Sequence, residues 1–354
     1  MSSNLPPTFV EGFHDVKDLS KMKYTQLGKT DMIVSSMTFG GSALGSVFRA
    51  TDDQESVQVV EKAIKLGINM IDTAPWYGHT KSEKVLGMIL PKFPRQAYYL
   101  NTKVGRYLPE TSKMFDFRAE RVIQSVDESL NRLGVEYIDT IQIHDMEFAP
   151  SLDIVINETL PALQKVKDAG KVRYIGITGY PMENFRTVLE KSPVEIDTIL
   201  TYCHASMNDN SLGEYIPYFQ SKGVGVINAS ILSMGLLTNR GPAKWHPAGE
   251  NIRSVCRQAA EFCQSKDVDI AKIATRFSLE QPGIHTTLIG TASMKNLLTN
   301  LEVLKHGITD HEREVSDEVM DKFFKPLNNA NWEGVEVSRY REKLSENEND
   351  VNLG

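Results

Sequence analysis

Cysteine is scarce: Cys203, Cys256 and Cys263 are the 3 in 354 residues. They form no Cys-x-x-Cys pair, and an odd count fits poorly with a secreted domain stapled by disulfides. Long apolar runs are missing, with no stretch of about 18 such residues anywhere. The opening Met1-Ser-Ser-Asn-Leu-Pro-Pro7 also lacks a basic region followed by an apolar core. The expectation is a soluble cytoplasmic chain with no membrane association. Positive charge is not in excess either, because 39 Lys and Arg stand against 46 Asp and Glu, a net charge of -7. A nucleic-acid footprint or polybasic membrane patch therefore has no compositional support. The eight histidines are scattered, and neither His-Glu-x-x-His nor paired Cys-x-x-Cys occurs, so no metal site is expected. What remains is ordinary: 41% hydrophobic and 24% charged residues describe a globular chain able to bury a sizeable core.

Short β-branched or apolar runs alternate with longer amphipathic segments, the pattern of βα units around a parallel sheet. Strands are expected at Ser36 to Phe39, Asn69 to Asp72, Tyr98 to Lys103, Thr140 to His144, Tyr174 to Thr178, Thr198 to Tyr202, Gly225 to Ala229 and Thr286 to Ile289. Each precedes a helical pattern: Gln54 to Leu66, Ser82 to Leu90, Ala119 to Arg132, Ile154 to Ala169, Met182 to Lys191, Leu212 to Ser221, Ile252 to Ser265 and Met294 to Leu304. Gly67, Gly170 and Gly223 repeat one stop signal, a glycine just past the last turn that can take the left-handed cap. Eight such units with no polar linker between them favour a single (β/α)8 TIM barrel, an α/β fold, over two doubly wound halves. Residues 24–332 would form the barrel. Residues 1–23 and the charged residues 333–354 read as an N-terminal extension and a polar C-terminal tail, both lying beyond the core.

A Rossmann sheet would carry Gly-x-Gly-x-x-Gly after a strand. Gly40-Gly41-Ser42-Ala43-Leu44-Gly45 and Gly223-Val224-Gly225 both have the wrong glycine spacing. A dinucleotide, if one binds, is held some other way.

In a barrel of this kind the active site gathers at the carboxyl ends of the strands. The second expected strand runs into Asp72 and, five residues on, Tyr77; the third ends at Lys103; the fourth runs into His144. A buried Lys103 needs a counter-charge, which Asp72 can provide, and its ammonium would bring the Tyr77 phenol down from about 10 toward neutrality. His144, titrating near physiological pH, can orient a substrate oxygen or share the proton. Such a group suits the movement of a proton on or off a carbonyl or hydroxyl oxygen while something else moves a hydride.

These residues also carry a resemblance. Asp72-Thr-Ala-Pro-Trp-Tyr77-Gly, Ser82-Glu83-x-x-Leu86-Gly87, Thr102-Lys103, Leu130-x-x-Leu133-x-x-x-Tyr137-Ile-Asp139, His144-Asp145 and Gly170-Lys-Val-Arg-Tyr-Ile-Gly176 resemble, in order, the landmarks of the aldo-keto reductase family. The likeness runs from about Tyr24 to Trp332. It implies a catalytic tetrad at Asp72, Tyr77, Lys103 and His144. Further stretches, among them Gly105-Arg-Tyr107, Phe115-Asp-Phe117, His144-Asp-x-Glu-Phe148 and Gly241-Pro-x-x-Trp-His-Pro247, resemble a branch whose members oxidise the anomeric carbon of a free aldose to a lactone with NAD⁺.

The resemblance implies cofactor contacts at Gly40, Thr178, Gly179, Thr201, Ser230, Leu232, Gly235, Leu236, Gly290, Thr291, Ser293, Asn296 and Asn300. From the residues alone, Gly290-Thr-Ala-Ser293 before a helix is a plausible anion nest, and Ser293 is equally an ordinary N-cap. Two departures stand out. The family's glutamine at the end of the sixth strand falls on Leu200 or Thr201, and its ring-stacking aromatic falls on Ala229. The basic grip on a 2′-phosphate would fall on Gly290, Ala292 and Asn296, none basic, so NAD is favoured over NADP unless Lys295 swings inward.

Trp76, Phe115, His204, Trp245 and Trp332 are expected to rim the mouth and meet the substrate. That substrate is a small-molecule aldose or carbonyl, and the chain is expected to be a monomer or weak homodimer. Two other readings stay open. One is an NADPH-dependent carbonyl or ketone reductase; the other is a non-catalytic nucleotide-binding protein like the channel β subunits.

Overall fold

The computed structural model describes residues 5–352, with side chains described as far as residue 346. Ten strands form. β1 (Tyr24–Gln26) and β2 (Ile33–Ser35) pair as an antiparallel hairpin. β3 (Met37–Gly40), β4 (Met70–Asp72), β5 (Tyr99–Val104), β6 (Ile138–Ile143), β7 (Val172–Gly179), β8 (Thr198–Tyr202), β9 (Gly225–Ala229) and β10 (Thr286–Gly290) close into a parallel barrel, with β10 pairing back onto β3. The eight expected strands are these eight. The helices following them also fall where expected, and Gly67, Gly170 and Gly223 each take the left-handed conformation, with φ of 102°, 74° and 68°.

Strand period divides the side chains into two layers. Met70, Tyr99, Leu200, Ile227 and Leu288 fill the lumen, whereas Ile141, Ile143, Ile175, Ile177 and Ile199 pack outward against the helices. The hairpin, absent from the sequence reading, closes the lumen at the amino ends of the strands: Leu27, Met32 and Val34 join the luminal cluster and are fully buried. The carboxyl ends stay free for chemistry.

Among the described residues three further helices of ten or more residues were also missed: Ile270–Leu279, Asp310–Val319 and Val335–Asn352. The first is announced by Asp269, whose side chain accepts a hydrogen bond from the Ala271 amide as an N-cap. The last corrects the expectation of a tail lying beyond the core. Its Tyr340 meets Phe115 and Phe148 edge-on, with ring centroids 5.1 and 5.5 Å away, so the helix lies against the loops after β5 and β6 at the barrel mouth. The N-terminal segment is corrected in the same way, since Leu19 and Met22 are buried, and Thr8 Oγ1 accepts a hydrogen bond from Asn69 Nδ2. Among the described residues no helix is long and apolar enough to cross a membrane.

Candidate active site

Strand period places Asp72, Lys103 and the residue just past β6, His144, at the carboxyl rim, and the turn after β4 brings Tyr77 over them. Lys103 Nζ lies 2.7 Å from each carboxylate oxygen of Asp72, 2.9 Å from the Thr73 carbonyl and 3.3 Å from Tyr77 Oη. Both ends of the ion pair are almost fully buried. Burial alone would neutralise both groups. The facing charges oppose this: burial lowers Lys103, but Asp72 and Tyr77 together hold it above its ordinary value. Burial pushes the Asp72 carboxyl up, against the pull of Lys103 and Asn101.

Asn101 was not singled out from the sequence. It stands two residues before Lys103 on the same face of β5, and its Nδ2 donates both to Asp72 Oδ2 and to Gln142 Oε1, the latter at 2.9 Å. Gln142 Nε2 in turn donates to Thr198 Oγ1 at 3.2 Å. This chain of amides spans the lumen beneath the ion pair and fixes the carboxylate's orientation.

Two electrostatic expectations are corrected. Burial pushes the Tyr77 phenol up to about 12, and Lys103 only partly offsets it, while Asp72 and Asp145 add to the rise. Burial also lowers His144 to about 3, so its imidazole is neutral throughout the physiological range. Its Nδ1 has no hydrogen-bond partner among the described residues. A neutral ring with a free nitrogen beside a phenol can orient an oxygen but is not the proton store.

The rim outside the tetrad is built on Arg106 and Asp145. Arg106 Nη1 lies 2.6 Å from Asp145 Oδ2, and its guanidinium carbon stacks 4.2 Å over the Trp76 ring and 5.1 Å from that of Phe115. Trp76 and Phe115 therefore line the mouth as expected, and Phe115 stacks on Phe148 at 4.5 Å. Trp332 is buried and stacks on Tyr180 at 5.2 Å, beside the mouth. Trp245 is 53% exposed and stacks loosely on His246. His204 is corrected: it is buried, with Nδ1 2.8 Å from Asp209 Oδ2 and Nε2 2.8 Å from the Tyr180 carbonyl, so both nitrogens are spent on the protein itself.

The residues expected around a dinucleotide form a continuous stretch of rim. Gly40 and Gly290 end adjacent strands and leave the floor between them free of side chains, and a Cβ on Gly40 would press to 3.2 Å from the Gly290 nitrogen. The helix Met294–His306 begins with Ser293, whose side chain makes no cap hydrogen bond, and the Ser293 amide donates to Thr291 Oγ1 at 3.0 Å. Its first amides are thus free for an anion. Asn296 lies exposed in its first turn and Asn300 is half-buried one turn further along. Ser230, Ser233 and Met234 all have positive φ in the loop after β9, with Leu232 and Gly235 between and beside them, and Leu236 turned into the core. Thr178 Oγ1 accepts from the Asp145 amide at 2.9 Å. Thr201 is corrected, because Leu200 and Tyr202 on either side belong with the luminal cluster and Thr201 therefore faces the helices. The luminal aromatic at this rim is Tyr202, which the sequence reading passed over. The donor set, a side-chain-free floor and an open helix start, fits a dinucleotide.

A closed parallel barrel with a buried Lys-Asp pair under a phenol and a neutral imidazole, all at the carboxyl rim, defines a barrel oxidoreductase. The chain belongs to the aldo/keto reductase family, whose pattern matches residues 36–321. It is 44% identical to L-galactose dehydrogenase of Arabidopsis thaliana over 318 residues, covering 89% of this chain and 98% of that one. It is 33% identical to D-arabinose 1-dehydrogenase of Saccharomyces cerevisiae, covering 84% and 93% of the two chains. Among solved structures, the holo form of aldo-keto reductase AKR11C1 from Bacillus halodurans superposes with a TM-score of 0.67 at 26% identity, covering 84% of this chain and 96% of that one. The protein is an oxidoreductase of nicotinamide-dependent type acting on small carbonyl or aldose substrates.

Proposed function

We propose that this enzyme oxidises an aldose such as L-galactose at C1 to its lactone, with NAD⁺ favoured as acceptor. The observation that carries the reading is the 3.3 Å contact of Tyr77 Oη with Lys103 Nζ over the buried Asp72, at the rim where the nucleotide-fitting residues also lie. Identity to two sugar 1-dehydrogenases over most of their length supports an aldose as the substrate. A bound oxidised nicotinamide supplies the hydride acceptor and a positive charge that favours the phenolate.

The chain's own residues handle the proton and the geometry. Tyr77 takes the proton of the anomeric hydroxyl as the C1 hydride departs, which leaves a C1 carbonyl in the ring, the lactone. Lys103 stabilises the phenolate through its ammonium, and Asp72 keeps that ammonium charged. His144, neutral, holds the reacting oxygen by a hydrogen bond. Reduction of a carbonyl uses the same groups with Tyr77 donating. Gly290, Ala292 and Asn296 offer no cation for a 2′-phosphate, which supports NAD⁺ over NADP⁺. We also assign a cytoplasmic site of action, supported by three free, buried cysteines.

The test is a panel of L- and D-aldoses and simple carbonyls followed at the nicotinamide absorbance with each cofactor form. Oxidation of L-galactose or a close stereochemical relative with NAD⁺ is expected. Turnover confined to ketones with NADPH would replace the aldose reading by the reductase one.

A further inference from the structure

One residue beyond His144 the chain turns through Asp145, a non-glycine residue at φ 52°, and this turn sends Glu147 inward beside the mouth. Glu147 is 8% exposed. Its Oε1 accepts from the Tyr180 amide at 2.9 Å, while its Oε2 has no partner among the described residues. A carboxyl oxygen left open at that depth is costly unless something meets it. Space for it exists because residue 179 is glycine: a Cβ there would stand 2.7 Å from Glu147 Oε2.

Glu147 opens onto a cavity of about 10 Å³, walled by Tyr180, Tyr202 and Trp332 and closed by Glu336 from the C-terminal helix. That volume admits one water or one hydroxyl group. Carboxyl oxygens set among aromatic faces are the surroundings a sugar uses, with its hydroxyls on the acids and its C-H faces on the rings. The tetrad does not line the cavity, but Asp145 links the two: it lies close enough to raise the Glu147 carboxyl and approaches His144 Nε2 to 3.7 Å. No lysine or arginine lines it, and the nearby Arg106 is committed to Asp145.

We propose that Glu147, closed over by Glu336, is a one-hydroxyl subsite that selects neutral polyhydroxylated aldoses and disfavours anionic ones such as uronic acids and sugar phosphates. The proposal rests on the aldose reading above and deepens it. Burial pushes the Glu147 carboxyl well up, with Asp145 and Glu336 adding to the rise and the Tyr180 amide pulling against it, and its open Oε2 is the atom that would meet a sugar hydroxyl. A carboxylate or phosphate in its place meets two carboxyl groups in a wall that holds no lysine or arginine, the nearest guanidiniums, Arg106 and Arg339, lying outside it.

The test compares wild type, Glu147→Gln, Glu147→Ala and Glu336→Gln on three substrate groups. These are an accepted aldohexose with its single-deoxy counterparts, the matching uronic acid, and a hydroxyl-free aldehyde run in reduction. Ratios of kcat/KM within one protein cancel any loss of folded material. Wild type is expected to prefer the full aldose over one deoxy counterpart by on the order of tenfold or more, and Glu147→Ala to erase that preference. Glu147→Gln, which keeps a donor and an acceptor, is expected to retain part of it. An unchanged deoxy ratio in Glu147→Ala, equal losses on aldose and plain aldehyde, or ready turnover of the uronic acid by wild type would each overturn the subsite while leaving aldose oxidation standing. Wild type that reduces the aldehyde yet oxidises no aldose would instead remove the reading beneath it.

Discussion

The rings of Tyr77 and His144 meet edge to face at 90°, with centroids 5.7 Å apart. The contact aims a phenol and an imidazole at one point from two different loops, and only the phenol has a charged neighbour within hydrogen-bonding reach. On the proposed mechanism, proton transfer therefore falls to Tyr77 and orientation to His144.

Tyr77→Phe removes the hydroxyl and leaves the ring, its contact with His144 and the ion pair below. Turnover should fall by about 10² to 10⁴. The dissociation constant for the cofactor, read by fluorescence quenching, should stay close to that of the parent. Retained turnover would take Tyr77 out of its role.

The pH dependence follows from the same burial. With the phenol pushed up to about 12, its ionised fraction rises with each unit of pH below that value. Aldose oxidation, which needs the phenolate, should accelerate steadily from pH 7 to 10, whereas carbonyl reduction, which needs the phenol, should not. Because His144 sits at about 3, neither profile should show a limb near 6.5. An inflection there that disappears in His144→Asn would mean that the imidazole titrates in catalysis after all.

Asp72→Asn leaves a buried ammonium without its counter-charge. Removing one partner of a buried pair costs about 3–5 kcal/mol, and here Lys103 can relieve the strain only by losing its proton. Both thermal stability and activity should drop together. Lys103→Met leaves the buried Asp72 carboxyl unpaired instead, but burial already pushes that group up and it can neutralise by taking a proton while keeping its Asn101 hydrogen bond, so the variant should lose activity with a smaller fall in melting temperature, measured by calorimetry under the same conditions.

How much of this was visible in the chain itself differs from element to element. The barrel strands announce themselves because runs such as Thr140-Ile-Gln-Ile143 are β-branched and bounded by glycine-stopped helices. The hairpin does not: β1 and β2 hold three residues each, and the exposed Thr25 and Gln26 give no apolar run. The C-terminal helix hides for the opposite reason, since its charged sequence reads as solvated and the surfaces it covers, Phe115 and Phe148, lie far away along the chain. The grouping of Asp72, Lys103 and His144 at strand ends, with Tyr77 in the turn after one of them, was legible in the chain, but the electrostatics of the group were not. Burial, which overrides Lys103 at Tyr77 and strips the proton from His144, is a property of the closed mouth rather than of any local motif. His204 shows the converse, a strand-end histidine whose partners Asp209 and the Tyr180 carbonyl only the fold could supply.

The proposed preference for NAD⁺ turns on one helix start. Asn296 lies exposed in the first turn of Met294–His306, where the proposal puts the missing grip on a 2′-phosphate, and the exposed Lys295 is its neighbour in sequence. Wild type should bind NAD⁺ more tightly than NADP⁺ in a direct titration. Asn296→Arg should tighten NADP⁺ by on the order of tenfold or more, the worth of one charge-assisted contact, with little change for NAD⁺. If wild type instead favours NADP⁺, Lys295→Ala decides the cause: loss of the preference would show that the ammonium reaches inward to the phosphate, and its persistence would place the phosphate site on other residues.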